Sequence, residues 1–555
     1  MSLPLVPARI RALLPHTQRR RIALCWAAGV LCVAALTAPA VGISRDESVY
    51  FEAAQEYARF WLEAARAPAR AVALADRYYA VNREHPGLAK EVFGLTHAVL
   101  ATGLGLTSHA EGFRFGAFLF AALLAAVLSV WGHSLCGLWG GLLAPGFFFL
   151  VPRHFYHCHP AALDLPETAL WCATAYGFWR SVGSGGDRPR SGGWAIATGL
   201  LFGASVAIKH NGWFLLPLLF ASWFLAALPA ALREGPRALF ARFPLALLTM
   251  GVLGPLVFFA AWPWLWHEPL LRFRAYLTFH LGHENYPWMY FGTLLREPPF
   301  PVSYPFAVTA LTVPAALLVA MGAGLLQSLG RTVRGLLSRA EGVSLPTETL
   351  LWANALFPML LIAWPTVPHF GGVKHWMPAM PFLALLGARA LTWAGQTLSP
   401  RRPGLVIGAL AALSLAPAAW QVAHAHPFGT AAWNELAGEA PGAASLGMQR
   451  QFWGDNMVAV LPALNEHAAP RARVWFQEAT WLAVKEYQRD ERLRADLAWA
   501  SGPEDADISV WHYHREFLDK EYRTWTEFGS ARPVAGVYLD EVPLIQVFAR
   551  PGAWR

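Results

Sequence analysis

Apolar runs of membrane-spanning length recur along most of this 555-residue chain, and no other feature limits its fold as strongly. They begin near Arg21, Phe113, Gly137, Ala161, Trp194, Asn211, Pro244, Pro305, Leu350, Trp376 and Gly404. A helix needs about 20 apolar residues to cross the hydrocarbon, which gives about eleven crossings. The composition agrees: 14% of residues are charged and 55% hydrophobic, whereas a soluble protein carries about a quarter charged residues. The first run follows Arg19, Arg20 and Arg21 as a signal peptide would. It continues for about 20 residues and meets Arg45, Asp46 and Glu47 without a small-x-small cleavage site, so it reads as a retained span.

The net charge of +8 does not indicate a nucleic-acid partner. Residues 424–555 hold 13 basic and 18 acidic side chains, so the excess of positive charge, +13, lies in residues 1–423. It sits mainly in short loops between apolar runs. Arginines of the N-terminus, then Arg180/Arg188/Arg190, Arg233/Arg237/Arg242, Arg331/Arg334/Arg339 and Arg401/Arg402, mark every second loop, and positive-inside bias makes these loops cytoplasmic. Residues 91–107 are apolar enough to suggest another crossing, but counting them would put the second arginine cluster outside. They read instead as an interfacial helix. Residues 181–192 read as a flexible cytoplasmic linker. All five cysteines lie in or beside apolar segments, so no disulfide framework is indicated.

This topology predicts a cytoplasmic N-terminus at residues 1–21, a membrane domain at residues 22–423 with long outer loops at 44–112 and 267–304, and an extracytoplasmic domain at residues 424–555. In that last region amphipathic patterns (Met457 to His467, Thr480 to Trp499) alternate with β-rich runs (Ala472 to Phe476, Ile508 to Tyr513, Leu544 to Phe548), which predicts a small α/β fold. The predicted fold class is an all-α polytopic membrane protein with a small C-terminal α/β domain outside the membrane.

Candidate chemistry gathers on the outer side. Asp46 and Glu47 follow the first span, where a partly desolvated carboxylate remains within reach of a polar substrate and works as a base. The plainer reading is an acidic pair ending a helix in solvent. Asp164 and Glu167 begin a span, where a carboxylate costs about 2.5–3.5 kcal/mol on insertion scales and calls for partners. Arg153, Lys209 and Lys374, with Lys90 and Arg272 or Arg274 as further candidates, are outer-leaflet cations able to hold a phosphate; singly, each also suits a snorkelling or ion-paired role. Histidines are frequent on this face, among them His85, His157, His159, His280, His283 and His375. His157-x-His159 and His280-x-x-His283 have spacings that admit a divalent metal, but no HExxH or CxxC pattern defines a zinc site. No GxxxxGK[ST] loop is present, which argues against a soluble nucleotide donor.

Four motifs carry a family resemblance: Asp46-Glu47 after the first span; Glu84-His85-Pro86-Gly87-Leu88-Ala89-Lys90, where Gly87 stands for the second proline of His-Pro-Pro-x-x-Lys; Arg153 with Leu163-Asp164-Leu165-Pro166; and Val373-Lys374-His375-Trp376-Met377-Pro378. Over about residues 20–425 the chain resembles the GT-C glycosyltransferases that use polyprenyl-phosphate sugars, most of all bacterial relatives of dolichyl-phosphate-mannose protein mannosyltransferases. The aminoarabinose transferases that modify lipid A share the architecture. The eukaryotic β-trefoil module is missing.

The resemblance implies an inverting hexosyltransferase in the cell's inner (plasma) membrane, with Asp46 as catalytic base and Glu47 as a substrate-site residue. Its partners would be a polyprenyl-phosphate sugar donor, a protein, lipid or glycan acceptor, and membrane lipids, with no nucleic acid. The donor phosphate would lie against Arg153, Lys209, Lys374 or Lys90. His85, His157, His159, Asp164, His280, His283 and His375 would position substrate, and a divalent metal is a possible cofactor. The alternative is a secondary transporter, in which buried charges line a path; the one-sided collection of polar residues and the absence of paired repeats argue for the enzyme.

Overall fold

The computed structural model describes residues 8–183, 191–337, 343–369 and 371–555. Most of the 181–192 linker, together with Arg188, Arg190 and Arg339, lies outside the described residues.

Every apolar run emerges as helix, the one beginning near Pro305 as two pieces, Tyr304–Thr312 and Ala315–Leu337. The principal helices are α1 (Ala8–Thr37), the loop helices α2 (Arg45–Ala64) and α3 (Leu88–His97), α4 (His109–Phe149), the short loop helix α5 (Pro152–His157), α6 (Asp164–Ser181), α7 (Gly192–Val206), α8 (Leu215–Glu234), α9 (Leu245–Ala260), the loop helix α10 (Pro269–Leu281), α11 (Ala315–Leu337), α12 (Leu345–Ile362), α13 (Met380–Leu398) and α14 (Pro403–Ala425). The 41-residue α4 is a hairpin of two helices. Its backbone leaves helical geometry at Cys136 and Gly137, the latter at φ +70. Glycines let its two arms meet: a Cβ on Gly132 would overlap the Gly140 carbonyl, and one on Gly140 would overlap that of Gly132. Arg19 donates to Ser134 Oγ at 3.4 Å, so the arginine-rich start of α1 lies at the same end as this turn.

Among the described residues six helices are long and apolar enough to cross a membrane, α4 being one, and α7 and α9 are shorter apolar helices. The remaining two, α6 and α13, carry charges and are buried almost throughout. Their polar groups find partners inside the bundle: Glu167 accepts from Ser205 Oγ at 2.8 Å, and Arg389 pairs with Glu348 through two 2.9 Å bonds. Such helices face protein rather than lipid, so hydropathy alone understates them.

Residues 91–107 form the end of α3 and a π-helical turn, Ala98–Gly103, with Val99, Leu104 and Leu106 exposed. Gly94 brings α3 against α2, because any side chain there would overlap the Ala54 carbonyl. The loop after α10 holds a small hairpin, β1 (Trp288–Tyr290) and β2 (Thr293–Leu295).

The C-terminal region forms a five-stranded sheet of order β4-β3-β5-β7-β6, built from β3 (Arg473–Phe476), β4 (Ala498–Trp499), β5 (Ile508–His512), β6 (Ala535–Leu539) and β7 (Val542–Ala549). β3 pairs in parallel with β4 and β5, whereas β7 runs antiparallel to β5 and β6. The helix expected over Thr480 to Trp499 is shorter than its amphipathic pattern: it spans Trp481–Arg489, and Ala498–Trp499 is an edge strand. A left-handed Glu491 (φ 58) redirects the chain between them.

This sheet region is fused to the end of the bundle at which α1 finishes. Ile43, Phe51, Phe93 and Phe113 share one hydrophobic cluster with Met457, Leu461, Val474 and Tyr487. Ile43 N–H donates to Tyr487 Oη at 2.6 Å, and Gly42 abuts the Asp455 carbonyl so closely that no side chain fits there.

Candidate functional site

The first turn of α2 sets the site. Ser44 is its N-cap: Ser44 Oγ accepts from Glu47 N–H at 3.3 Å, and Glu47 Oε2 accepts from Ser44 N–H at 3.2 Å. This capping box is written in the sequence as Ser44-x-x-Glu47. It separates the two acids. Glu47 is fully buried, whereas the Asp46 side chain keeps 40% exposure.

Lys374 Nζ donates to Asp46 Oδ2 at 3.0 Å. The lysine comes from the 3-10 turn Gly372–His375, where Gly372 has φ +57 and Gly371 N–H donates to His375 Nε2 at 3.1 Å. Burial pulls the Lys374 ammonium down, but the carboxylates of Asp46 and Asp164 outweigh it and hold its pKa above the ordinary lysine value. Lys209 Nζ in turn donates to Asp164 Oδ1 at 2.7 Å. Asp46, Lys374, Asp164 and Lys209 therefore form a row of alternating charge drawn from four distant segments. Tyr50, four residues after Asp46 on the same helical face, is buried; burial and then the charges of Asp46, Asp164 and Glu84 keep its phenol protonated.

Arg153 is 2% exposed at the other side of the Gly371–Gly372 turn, whose Gly372 leaves no room for a side chain to clear Phe452 and Arg153 comfortably. Its Nε donates to the Ala432 carbonyl at 3.0 Å, and its guanidinium lies over the rings of Trp433 (4.5 Å) and Phe452 (5.6 Å). Nη2 is buried with no hydrogen-bond partner among the described residues. Burial pushes the guanidinium down to about 10, a sign of a cation short of counter-charge. His157 stands against Trp453 at 5.2 Å; burial pushes its pKa down to about 3, so its ring is neutral.

Other candidates are committed elsewhere. Glu47, taken above as a substrate-site residue, bonds Arg114 through both oxygens (2.7 and 2.8 Å) and accepts from Ala161 N–H at 2.9 Å. It is a structural anchor. Lys90, taken as a phosphate ligand, is fully buried and donates to Asn82 O (2.8 Å), Asn82 Oδ1 (2.9 Å) and His85 O (3.0 Å), so it pins the loop before α3. Lys90→Met should accordingly lower thermal stability and increase hydrogen exchange in residues 80–90; a variant of normal stability with weakened phosphate binding would return Lys90 to the site.

His159 reaches the end of α1, its Nε2 2.8 Å from Thr37 Oγ1 and its Nδ1 2.9 Å from the Phe155 carbonyl. His157 and His159 thus diverge and do not share a metal. His283 lies at the surface, its Nδ1 2.8 Å from the Glu284 carbonyl. His280 packs inward, stacked on His210 at 4.1 Å and 5.3 Å from His85, with Nε2 at 3.1 Å from the Glu84 carbonyl. These three rings border the Lys209 end of the row. Among the described residues no group of three or more His, Cys, Asp and Glu side chains is arranged to hold a metal ion.

Three aromatic residues of the site, Trp433, Phe452 and Trp453, and the buried Arg114 were not singled out from sequence. Helical spacing from Asp46 was the available signal for Tyr50, and the capping box was the signal for Glu47.

No family model matches the chain, and no curated protein does. Among solved structures the chain is similar to ArnT from Cupriavidus metallidurans bound to undecaprenyl phosphate, at 13% identity over 98% of each chain with a TM-score of 0.49. It is also similar to the oligosaccharyltransferase of Archaeoglobus fulgidus in the apo form (13% identity, 88% of this chain and 70% of that one, TM-score 0.46). The archaeal oligosaccharyltransferase AglB from Archaeoglobus fulgidus, in complex with an inhibitory peptide and a dolichol-phosphate, aligns over 87% of this chain and 65% of that one, at 13% identity and a TM-score of 0.45.

Proposed function

We propose that this protein transfers a sugar, a hexose such as mannose, from a polyprenyl-phosphate donor to an acceptor hydroxyl at the outer face of the membrane, with inversion at the anomeric carbon. One observation carries the reading: a half-exposed carboxylate, Asp46, at a helix N-terminus, paired at 3.0 Å with a buried lysine. Across the Gly371–Gly372 turn from that lysine stands a buried arginine whose Nη2 has no hydrogen-bond partner among the described residues.

The isoprenoid chain lies among the spans and the donor phosphate meets Arg153 and Lys374. Lys374 then exchanges one anion for another: as it turns to the phosphate it releases Asp46, which becomes free to accept a proton. The acceptor oxygen attacks C1, the bond from C1 to the phosphate oxygen breaks, and the hydroxyl proton passes to Asp46. Negative charge grows on the leaving phosphate, where cations preoriented away from bulk water stabilise it by several kcal/mol, about the size measured for a single preorganised donor. Asp164 and Lys209 fix the far side of the row, and neutral His157 and Tyr50 offer hydrogen bonds to sugar hydroxyls. The orientation that follows puts the N-terminus in the cytoplasm and the C-terminal domain outside.

Purified protein in lipid nanodiscs, given a polyprenyl-phosphate hexose and envelope extract, should release polyprenyl phosphate and label an acceptor. Lys374→Met and Arg153→Ala should each raise the donor KM about 10- to 100-fold, the range of a lost charge-assisted hydrogen bond. Unchanged donor affinity in both variants would remove the phosphate from this pocket. Mass spectrometry of glycoproteins and envelope lipids from a deletion strain identifies the acceptor as protein Ser/Thr, lipid or glycan. Accumulation of a polar solute by vesicles of the pure protein, with no transfer, would favour a transporter.

A further inference from the structure

The segment Gln451–Asp455 reaches from the C-terminal region into the site, and its central residue adopts an unusual backbone. Trp453 has φ +61 and Gly454 φ +67. Glycine takes this conformation freely, whereas for a bulky side chain it is unfavourable and persists only where the surroundings enforce it. Here they do. The Trp453 carbonyl accepts from Arg45 N–H at 2.9 Å, one residue before Asp46, and a Cβ on Gly454 would stand 3.0 Å from the Glu478 carbonyl. Arg45 also pairs with Glu478 at 3.6 Å, and Ser48 Oγ is 2.7 Å from Thr480 Oγ1, so the carboxyl end of β3 holds the first turn of α2 at the same place.

The enforced conformation delivers the indole to one spot. Its ring lies 4.4 Å from Lys374 Nζ and packs beside the rings of His157, Tyr156 and Phe452. The Lys374 ammonium is therefore bounded by an indole face on one side and the Asp46 carboxylate on another. When Lys374 leaves Asp46 for a phosphate, the indole is the contact that needs no exchange.

We infer that Trp453 is a positioning residue for sugar transfer: its indole face holds the Lys374 ammonium in place for the donor phosphate through a cation–π contact. The inference rests on the reading of the site given above. It makes the C-terminal region a working part of the site, with Phe452 and Trp433 serving Arg153 in the same way.

The test uses full-length protein in nanodiscs, with undecaprenyl phosphate as the binding probe and donor kinetics as the second readout. Trp453→Phe, which keeps an aromatic face, should stay within about threefold of wild type in both. Trp453→Leu keeps apolar bulk without the π face and should raise the probe Kd and the donor KM about tenfold, as expected for a desolvated cation–π contact. A merely structural defect lowers the active fraction, and hence kcat, without moving KM. In a Lys374→Met background Trp453→Leu should add no further change. Leucine performing as well as phenylalanine, or an effect that adds fully to Lys374→Met, would overturn the inference. Should Trp453→Leu not fold, Trp453→Met serves the same arm. If Lys374→Met itself leaves probe affinity unchanged, it is the reading of the site that fails; if Lys374→Met weakens binding and Trp453→Leu does not, only the role of Trp453 fails.

Discussion

Replacing Asp46 by asparagine should reduce sugar transfer about 10²- to 10⁴-fold, the contribution of a positioned general base. The substitution keeps the shape and the place at the start of α2 and removes the ability to accept a proton. It also removes the anion that holds Lys374 at 3.0 Å. Lys374 then meets a donor phosphate without first leaving a carboxylate, so undecaprenyl phosphate should bind Asp46→Asn no more weakly than wild type. Asparagine keeps an acceptor oxygen for the buried Lys374, Asp164 still acts on that lysine, and the capping neighbour Ser44 is untouched, so thermal stability should fall far less than for Glu47→Ala. Single-turnover transfer and probe titration on the same preparation separate these effects. Full transfer activity in Asp46→Asn would exclude Asp46 as base; loss of probe binding would show that the pair assembles the site rather than gating it.

Replacing Glu47 by alanine should produce the opposite pattern. Arg114, 1% exposed, donates to both Glu47 oxygens and to the carbonyls of Ala38, Val41 and Gly42. Deleting the carboxylate strands a buried guanidinium, which costs about 3–5 kcal/mol, and removes half of the capping box as well. The expected result is a large fall in unfolding temperature, with whatever folded protein remains binding undecaprenyl phosphate as wild type does. Glu47→Gln, which retains an acceptor for Arg114, should recover part of the stability. A folded Glu47→Ala of normal stability but without transfer activity would restore Glu47 to the substrate site.

These contrasting outcomes at adjacent positions show where sequence reading reached and where it stopped. The spans were legible because each must present a long apolar surface, and the runs beginning near Phe113 and Gly137 are the two arms of α4. The charged helices α6 and α13 were legible as apolar runs beginning near Ala161 and Trp376, but the partners of their polar groups, Ser205 for Glu167 and Glu348 for Arg389, lie on other helices and were not. Within Asp46-Glu47, composition treats the two acids alike; the Ser44-x-x-Glu47 pattern was the local sign that the second belongs to a cap. Lys90 and Lys374 look equivalent as outer cations, yet one is saturated by backbone carbonyls and the other faces a carboxylate.

What the amino-acid order determined alone is whatever depends on near neighbours: apolar length, helix starts, the alternation of arginine-rich loops, and the small α/β pattern after residue 424. The tertiary structure decided which charges meet. Asp46, Asp164, Lys209 and Lys374 lie in four separated segments, and Trp453 reaches them from a fifth through a strained turn held by Arg45. A charge's partner is set by distance in space and by what burial leaves unsatisfied, and neither quantity is encoded within a short window of sequence.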